Sequence, residues 1–149
     1  MVTFIGEYNV KLDAKGRFVL PVAFIKQLDK ESSGECFILK EDLFEGCLSF
    51  YPYSEWDRQN QIIREKINPF ERQHNQFLRS FSKGAVEVSL DSINRILIPK
   101  RLIDYAQIQK DIVLSGQDGK IEIWSAESYE QHWKNAPDFE SLAKDVLNS

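Results

Sequence analysis

The chain is short of the residues that carry most enzymatic and metal chemistry. Its only cysteines are Cys36 and Cys47 and its only histidines are His74 and His132. Ten residues separate the cysteines, no Cys-x-x-Cys pair exists, and no histidine is near either one. Zinc is therefore not expected, and both thiols are read as free and buried or partly buried. No serine or cysteine has a histidine and an acid spaced as a nucleophilic set, and no glycine-rich loop is available to cradle phosphates. Asp13 and Asp91 form a symmetric carboxylate pair without any supporting constellation. No enzyme, metal or cofactor is expected. Long apolar runs are missing too, and Met1 leads into a mixed stretch without the basic segment and apolar core of a secretory signal. The expectation is a cytoplasmic protein with no membrane partner. Finally, basic residues are outnumbered: 19 Lys and Arg against 23 Asp and Glu leave a net charge of −4. That balance speaks against a chain that coats nucleic acid indiscriminately.

What the chain does have is one unit used twice. Leu12-Asp13-Ala14-Lys15-Gly16-Arg17-Phe18-Val19-Leu20-Pro21 returns as Leu90-Asp91-Ser92-Ile93-Asn94-Arg95-Ile96-Leu97-Ile98-Pro99 at a fixed offset, 91 − 13 = 78. Gly6 matches Gly84 and Val10 matches Val88. Both copies are basic islands in an acidic chain: Lys11, Lys15, Arg17 and Lys26 face Asp13 alone, and Lys83, Arg95, Lys100 and Arg101 face Glu87 and Asp91.

Each copy reads as the same series of elements. A strand from about Glu7 to Leu12 enters a tight reversal at Gly16, and Arg17 to Leu20 returns. Pro21 then presets a short helix to about Leu28, stopped by the polar run Asp29 to Gly34. A second hairpin follows, with Cys36–Leu39 and Cys47–Tyr51 as its strands. Ser54 is read as the N-cap of a helix to about Lys66, broken by Asn68-Pro69. Phe70, Phe77, Leu78 and Phe81 sit at helical spacing and predict a connecting helix. In the second copy, Ala85–Leu90 and Arg95–Ile98 are strands around the Asp91–Asn94 turn. Lys100–Ala106 is a short helix, and Ile112–Leu114 with Ile121–Trp124 is the second hairpin. Gly119-x-Ile121-x-Ile123-Trp124 echoes Gly46-x-Leu48-x-Phe50-Tyr51 at an offset of 119 − 46 = 73, and the five lost residues are assigned to the hairpin connection, where deletions are tolerated. Helices from Ser125 and over Phe139–Leu147 close the chain. The organisation is thus 1–66 as a first repeat with trailing helix, 67–81 as connecting helix and 82–149 as a second repeat. Each half is marginal for a core of its own, so the two are expected to pair strands across a pseudo-twofold axis and bury one shared core.

Paired Asp-x-x-x-Arg turns, each followed by an apolar triplet and Pro, together with Tyr51-Pro52-Tyr53-Ser54-Glu55-Trp56, Gly84-Ala85-Val86-Glu87 and Ile121-Glu122-Ile123-Trp124, resemble the MraZ family over essentially the whole chain. The resemblance implies an α+β, β-rich fold of two pseudo-symmetric AbrB-like swapped-hairpin half-domains packed as one barrel-like core with short peripheral helices. It also implies a ring-shaped homo-oligomer that is nucleoid-associated, binds double-stranded DNA at short promoter repeats upstream of the division and cell-wall gene cluster, and regulates transcription, generally as a repressor. Its motif residues fall on Asp13, Arg17, Asp91 and Arg95. Asn94 stands where the first turn has Gly16, and Asn tolerates the left-handed region.

Lys11, Lys15, Arg17, Arg95, Lys100 and Arg101 are the candidate DNA contacts. Arginine suits bidentate contact to guanine edges, whereas lysine acts as a point charge on phosphates. Asp13, Gly16, Asp91 and Asn94 are assigned to shaping the turns, since a carboxylate beside phosphates would repel them. The simpler reading is that each Asp and Arg only bridge across their turn. The second turn, with Ile93 for Lys15, is the less basic and is open to a role in assembly. The alternative function is a ring-forming scaffold that binds a protein partner through its hairpins, with DNA incidental. Tyr51, Trp56, Phe77, Trp124 and Trp133 are assigned mostly to the core.

Overall fold

A computed structural model describes residues 2–28 and 36–148. The polar stop Asp29 to Gly34 lies outside the described residues. In chain order the elements are β1 (Glu7–Lys11), β2 (Arg17–Val19), α1 (Val22–Gln27), β3 (Phe37–Glu41), β4 (Leu48–Pro52), α2 (Tyr53–Lys66), α3 (Arg72–Ser82), β5 (Val86–Val88), β6 (Arg95–Leu97), α4 (Lys100–Tyr105), β7 (Asp111–Gln117), β8 (Lys120–Ser125), α5 (Ala126–Lys134) and α6 (Phe139–Leu147). The connecting helix predicted over 70–81 is α3, begun two residues later because Asn68-Pro69 and the turn after it occupy the start. Ser54 does not cap α2. Pro52 holds the N-cap position with extended backbone and the helix begins at Tyr53, which places Ser54 inside the first turn.

The two copies interleave in one antiparallel sheet of order β1-β7-β8-β4-β3-β5, while β2 and β6 form a separate two-stranded ribbon. Strands of one copy pair with strands of the other at four places, three in the sheet and one in the ribbon, that obey a common pseudo-twofold. In the sheet, Leu48 faces Ile123 and Phe50 faces Ile121 about a central Ser49–Glu122 pair. In the ribbon, Arg17 faces Leu97 and Val19 faces Arg95 about Phe18–Ile96. The outer pairs Val10–Ile112 and Val88–Phe37 repeat the relation. These registers divide the five lost residues: the offset is 112 − 37 = 75 between β3 and β7 but 123 − 50 = 73 between β4 and β8. Three residues are therefore lost before β7 and only two in the hairpin connection.

Two expectations are corrected here. First, β1 and β2 are not hairpin partners. The Leu12 N–H goes to the Lys110 carbonyl (2.8 Å), prolonging the β1–β7 ladder. The chain then turns on its own bonds, Asp13 N–H to Arg17 O (2.8 Å) and Gly16 N–H to Asp13 O (3.1 Å), and delivers β2 to β6 instead. Second, the barrel is not closed. β1 and β5 end the sheet as edges, and the ribbon strands, three residues each, do not bridge them in a continuous ladder.

The core fills the space between ribbon and sheet. Phe18, Leu20, Ile96 and Ile98 point inward from the ribbon side onto Leu39, Phe50, Leu114 and Ile123 of the sheet, and Phe24 and Leu102 of the two short helices join the same cluster. Each such side chain contributes about 1.5–3 kcal/mol by leaving water. Rings add directional contacts: Phe37 stacks on Phe50 (4.7 Å), and Phe24 meets Tyr8 edge-on (5.0 Å). Tyr51 and Trp124 are buried, as assigned. Trp56 is half-buried and stacks on Phe81 (5.1 Å), but Trp133 lies largely in water and Phe77 is half-exposed with one face on Phe81 (6.2 Å).

A polar cluster joins the copies beside the central strands. Lys120 of the second copy donates to Asp42 Oδ1 of the first (2.9 Å) and lies 3.5 Å from Glu122. Ser49 also donates to Asp42 (2.8 Å), and Phe44 and Glu45 donate backbone N–H groups to its other oxygen. Burial opposes ionisation of Asp42, but the Lys120 bond and charge prevail and bring its pKa down to about 2. Asp42, Cys47 and Glu122 put three ligand atoms within 4.8 Å of one another. The ammonium of Lys120 is the cation among them. Burial and the nearby carboxylates push the Cys47 thiol far up.

Candidate nucleic-acid interface

The repeated turns are built alike. Asp13 Oδ1 accepts the backbone N–H of Lys15 and of Arg17 (both 2.9 Å), and Oδ2 accepts Arg17 Nε (2.9 Å). Asp91 does the same for Ile93 (3.0 Å), Arg95 (2.8 Å) and Arg95 Nε (2.7 Å). The short side chain caps its own loop, which is why the spacing is Asp-x-x-x-Arg. The backbone N–H of the arginine is the main cause that holds each carboxyl below its ordinary value; burial opposes it, and the guanidinium and the intervening N–H add to it. Gly16 at φ 86° and Asn94 at φ 63° both occupy the left-handed region that closes the turn.

The two turns are then locked to each other. Leu20 donates to the Asn94 carbonyl and Ile98 to the Gly16 carbonyl, each at 2.8 Å. This crossed pair of bonds fixes the ribbon. Because side chains alternate along a strand, Phe18 and Ile96 go into the core and their neighbours go out. The outer face of the ribbon is therefore a small rectangle, with Arg17 and Arg95 at two opposite corners and Val19 and Leu97 at the others. The arginines are about equally exposed, 27% and 28% at the side chain. Each has its Nε held by a carboxylate, which aims the outer fork of the guanidinium. Bridging across the turn and presenting the arginine are thus two aspects of one geometry.

Lys15 and Ile93 occupy matching exposed positions at the turn tips. The other candidate cations are not gathered onto the rectangle. Lys11 at the end of β1 makes an exposed pair with Asp111 (3.9 Å), and Lys100 pairs with Asp104 along α4 (3.7 Å). Arg101 donates to the Gly84 carbonyl (3.1 Å), anchoring the chain ahead of β5. In the first copy Gln27 does that task, exchanging bonds of 2.9 and 3.2 Å with the backbone of Ile5 beside Gly6. Sequence reasoning missed Gln27, Val19 and Leu97. For the last two the signal was present as Arg-apolar-apolar alternation around one buried residue, but a uniform apolar triplet conceals which member faces out.

The histidines are engaged locally: His74 Nδ1 accepts the Asn68 N–H (2.8 Å) with Glu71 at 3.0 Å, and His132 lies 3.7 Å from Glu45. Among the described residues no helix is long and apolar enough to cross a membrane.

Comparison with known proteins agrees with the duplicated architecture. The family model for the MraZ protein, described as antitoxin-like, matches residues 3–79 and again 81–147. Similar curated proteins are named transcriptional regulator MraZ. One from Flavobacterium psychrophilum is 41% identical over 150 residues, covering 100% of this chain and 94% of that protein. One from Clostridium acetobutylicum is 40% identical, covering 95% and 94%. A third, from Bacteroides thetaiotaomicron, is 37% identical over 99% and 94%.

Proposed function

The chain belongs to the MraZ family, and from that membership we propose that it is a transcriptional regulator that binds double-stranded DNA sequence-specifically through the outer face of the β2–β6 ribbon. Its targets are repeated promoter elements upstream of the division and cell-wall gene cluster, where it acts as a repressor. The observation that carries this reading is the pair of arginines at opposite corners of the ribbon, each held at Nε by its own aspartate. A two-stranded ribbon fits the major groove, and an arginine fork matches the two acceptors of guanine. Lys15 at the first turn tip supplies a phosphate contact, while Lys11, Lys100 and Arg101 contribute background charge from their exposed positions. The first copy, with Lys15 beside Arg17, carries more of the affinity than the second.

One ribbon makes few contacts, so binding to repeated sites calls for a homo-oligomer, in the form of a ring, that links several ribbons and raises their effective concentration. Large apolar side chains left in water support self-association: Phe70 is 95% exposed, Phe139 80% and Leu147 80%.

The test is fluorescence anisotropy with DNA from upstream of the chain's own gene cluster, over a salt series. A specific complex should form at low salt and weaken with a slope of about 0.9 per phosphate contact. Arg17→Ala should strongly weaken it without loss of circular dichroism, and Arg95→Ala should weaken it less. No specific complex at low salt, or unchanged binding by Arg17→Ala, would reject this reading in favour of a scaffold for a protein partner, which the net charge of −4 suits.

A further inference from the structure

We infer that Val19 and Leu97 are specificity determinants that contact the 5-methyl groups of thymines next to the bases met by the ribbon arginines. The inference rests on the DNA-binding reading above and deepens it. Single apolar residues on a surface are ordinary, but these two are symmetry mates at the two corners of the rectangle that the arginines leave. Each is 53% exposed, while Phe18 and Ile96 beside them are 1% and 0% exposed. Register puts Leu97 directly across from Arg17 and Val19 directly across from Arg95. Cross-strand neighbours on one face stand about 5 Å apart at Cβ. Successive bases along a strand are about 3.4 Å apart. An arginine fork and its aliphatic neighbour therefore span about one base step.

The chemistry of the major groove then selects the bases. Guanine presents two acceptors that suit the fork, and thymine is the one base with a methyl group at that edge. The Asp13 and Asp91 clamps fix the arginines, and the ribbon bonds at Leu20 and Ile98 fix the backbone between them. The aliphatic side chains thus have a set position relative to the forks. The ribbon reads two guanine–thymine neighbours related by a local dyad, one for each arginine.

The experiment uses the full chain and the shortest duplex it protects in DNA preceding its own gene. Every thymine in that duplex is replaced by deoxyuridine, which removes the methyl and keeps the hydrogen-bonding edge. Affinity should fall about fourfold for each contacted methyl, as expected for one buried carbon. In the Val19→Ala/Leu97→Ala double variant, whose substitutions are on the exposed face, the thymine and deoxyuridine duplexes should bind alike. Equal binding of both duplexes by the unaltered chain overturns the inference while leaving DNA binding intact. A deoxyuridine penalty that persists undiminished in the double variant overturns it as well. If no duplex is protected at all, the DNA-binding reading fails and this inference falls with it.

Discussion

Replacing Asp42 by Asn removes the anionic partner of Lys120 where the two copies meet, and the structure sets the size of the effect. The Asp42 carboxyl is displaced from its ordinary 3.8 to about 2 by the balance of burial, the Lys120 bond and charge, Ser49 and the Phe44 N–H. At 1.36 kcal/mol per unit this amounts to about 2.5 kcal/mol of stability at neutral pH. The side chain is only 5% exposed, so solvent screening takes little from that figure. The folded pKa is depressed, so the contribution is complete above about pH 5 and is lost as pH falls toward 2. At pH 3 the same two values leave about 1.3 kcal/mol. Urea denaturation of the unaltered chain and of Asp42→Asn at pH 7 and pH 3 should therefore show a stability gap that roughly halves. Other titrating groups act on both proteins and cancel in the difference. A gap that stays constant between the two pH values, or one below about 0.5 kcal/mol at pH 7, would show that the Asp42–Lys120 pair does not join the copies energetically.

Three further outcomes follow from the turns and the thiols. Asp13→Ala removes a negative charge from the protein yet should weaken DNA binding, because it releases Arg17 Nε and the turn backbone; tighter binding in the anisotropy assay would mean that charge, not positioning, governs the site. Gly16→Ala puts a Cβ 3.2 Å from the Ile98 carbonyl at φ +86° and should cost about 1–3 kcal/mol in thermal or urea unfolding. Asn94→Gly, at a position already left-handed at φ 63°, should change stability by less than about 0.5 kcal/mol, and an equal loss at both sites would contradict the turn geometry. Cys47 should resist a thiol reagent such as dithionitrobenzoate in the native chain and react once the chain is unfolded; native-state labelling of Cys47 would refute its burial.

Local chemistry made much of this fold readable from the chain. The Asp-x-x-x-Arg turns form because a short carboxylate can reach the two N–H groups and the guanidinium that follow it, all within five residues. Short apolar runs bounded by turn residues marked the strands of the second hairpins, and Pro21 and Pro99 marked the starts of two short helices. The repeat between copies, at an offset of 78 in the turns that falls to 73 in the second hairpin, pointed to a pseudo-twofold. Helix starts were less secure: at Ser54 the side-chain rule competed with the conformation imposed by Pro52, and the latter prevailed.

Partnership over long separations was decided only in three dimensions. Nothing in the spacing of Glu7–Lys11 states that it pairs with Asp111–Gln117 rather than with Arg17–Val19, because strand pairing is settled by which side chains share a core and which backbone groups remain unpaired. The same holds for Lys120 meeting Asp42 across 78 positions, and for the two arginines and two aliphatic residues arranged on one outward face. The sequence by itself determined that there are two copies of a carboxylate-held arginine turn. The tertiary structure determined that the two turns lock into a single ribbon, since the β2–β6 pairing and the crossed Leu20–Asn94 and Ile98–Gly16 bonds bring Arg17 and Arg95 to one surface.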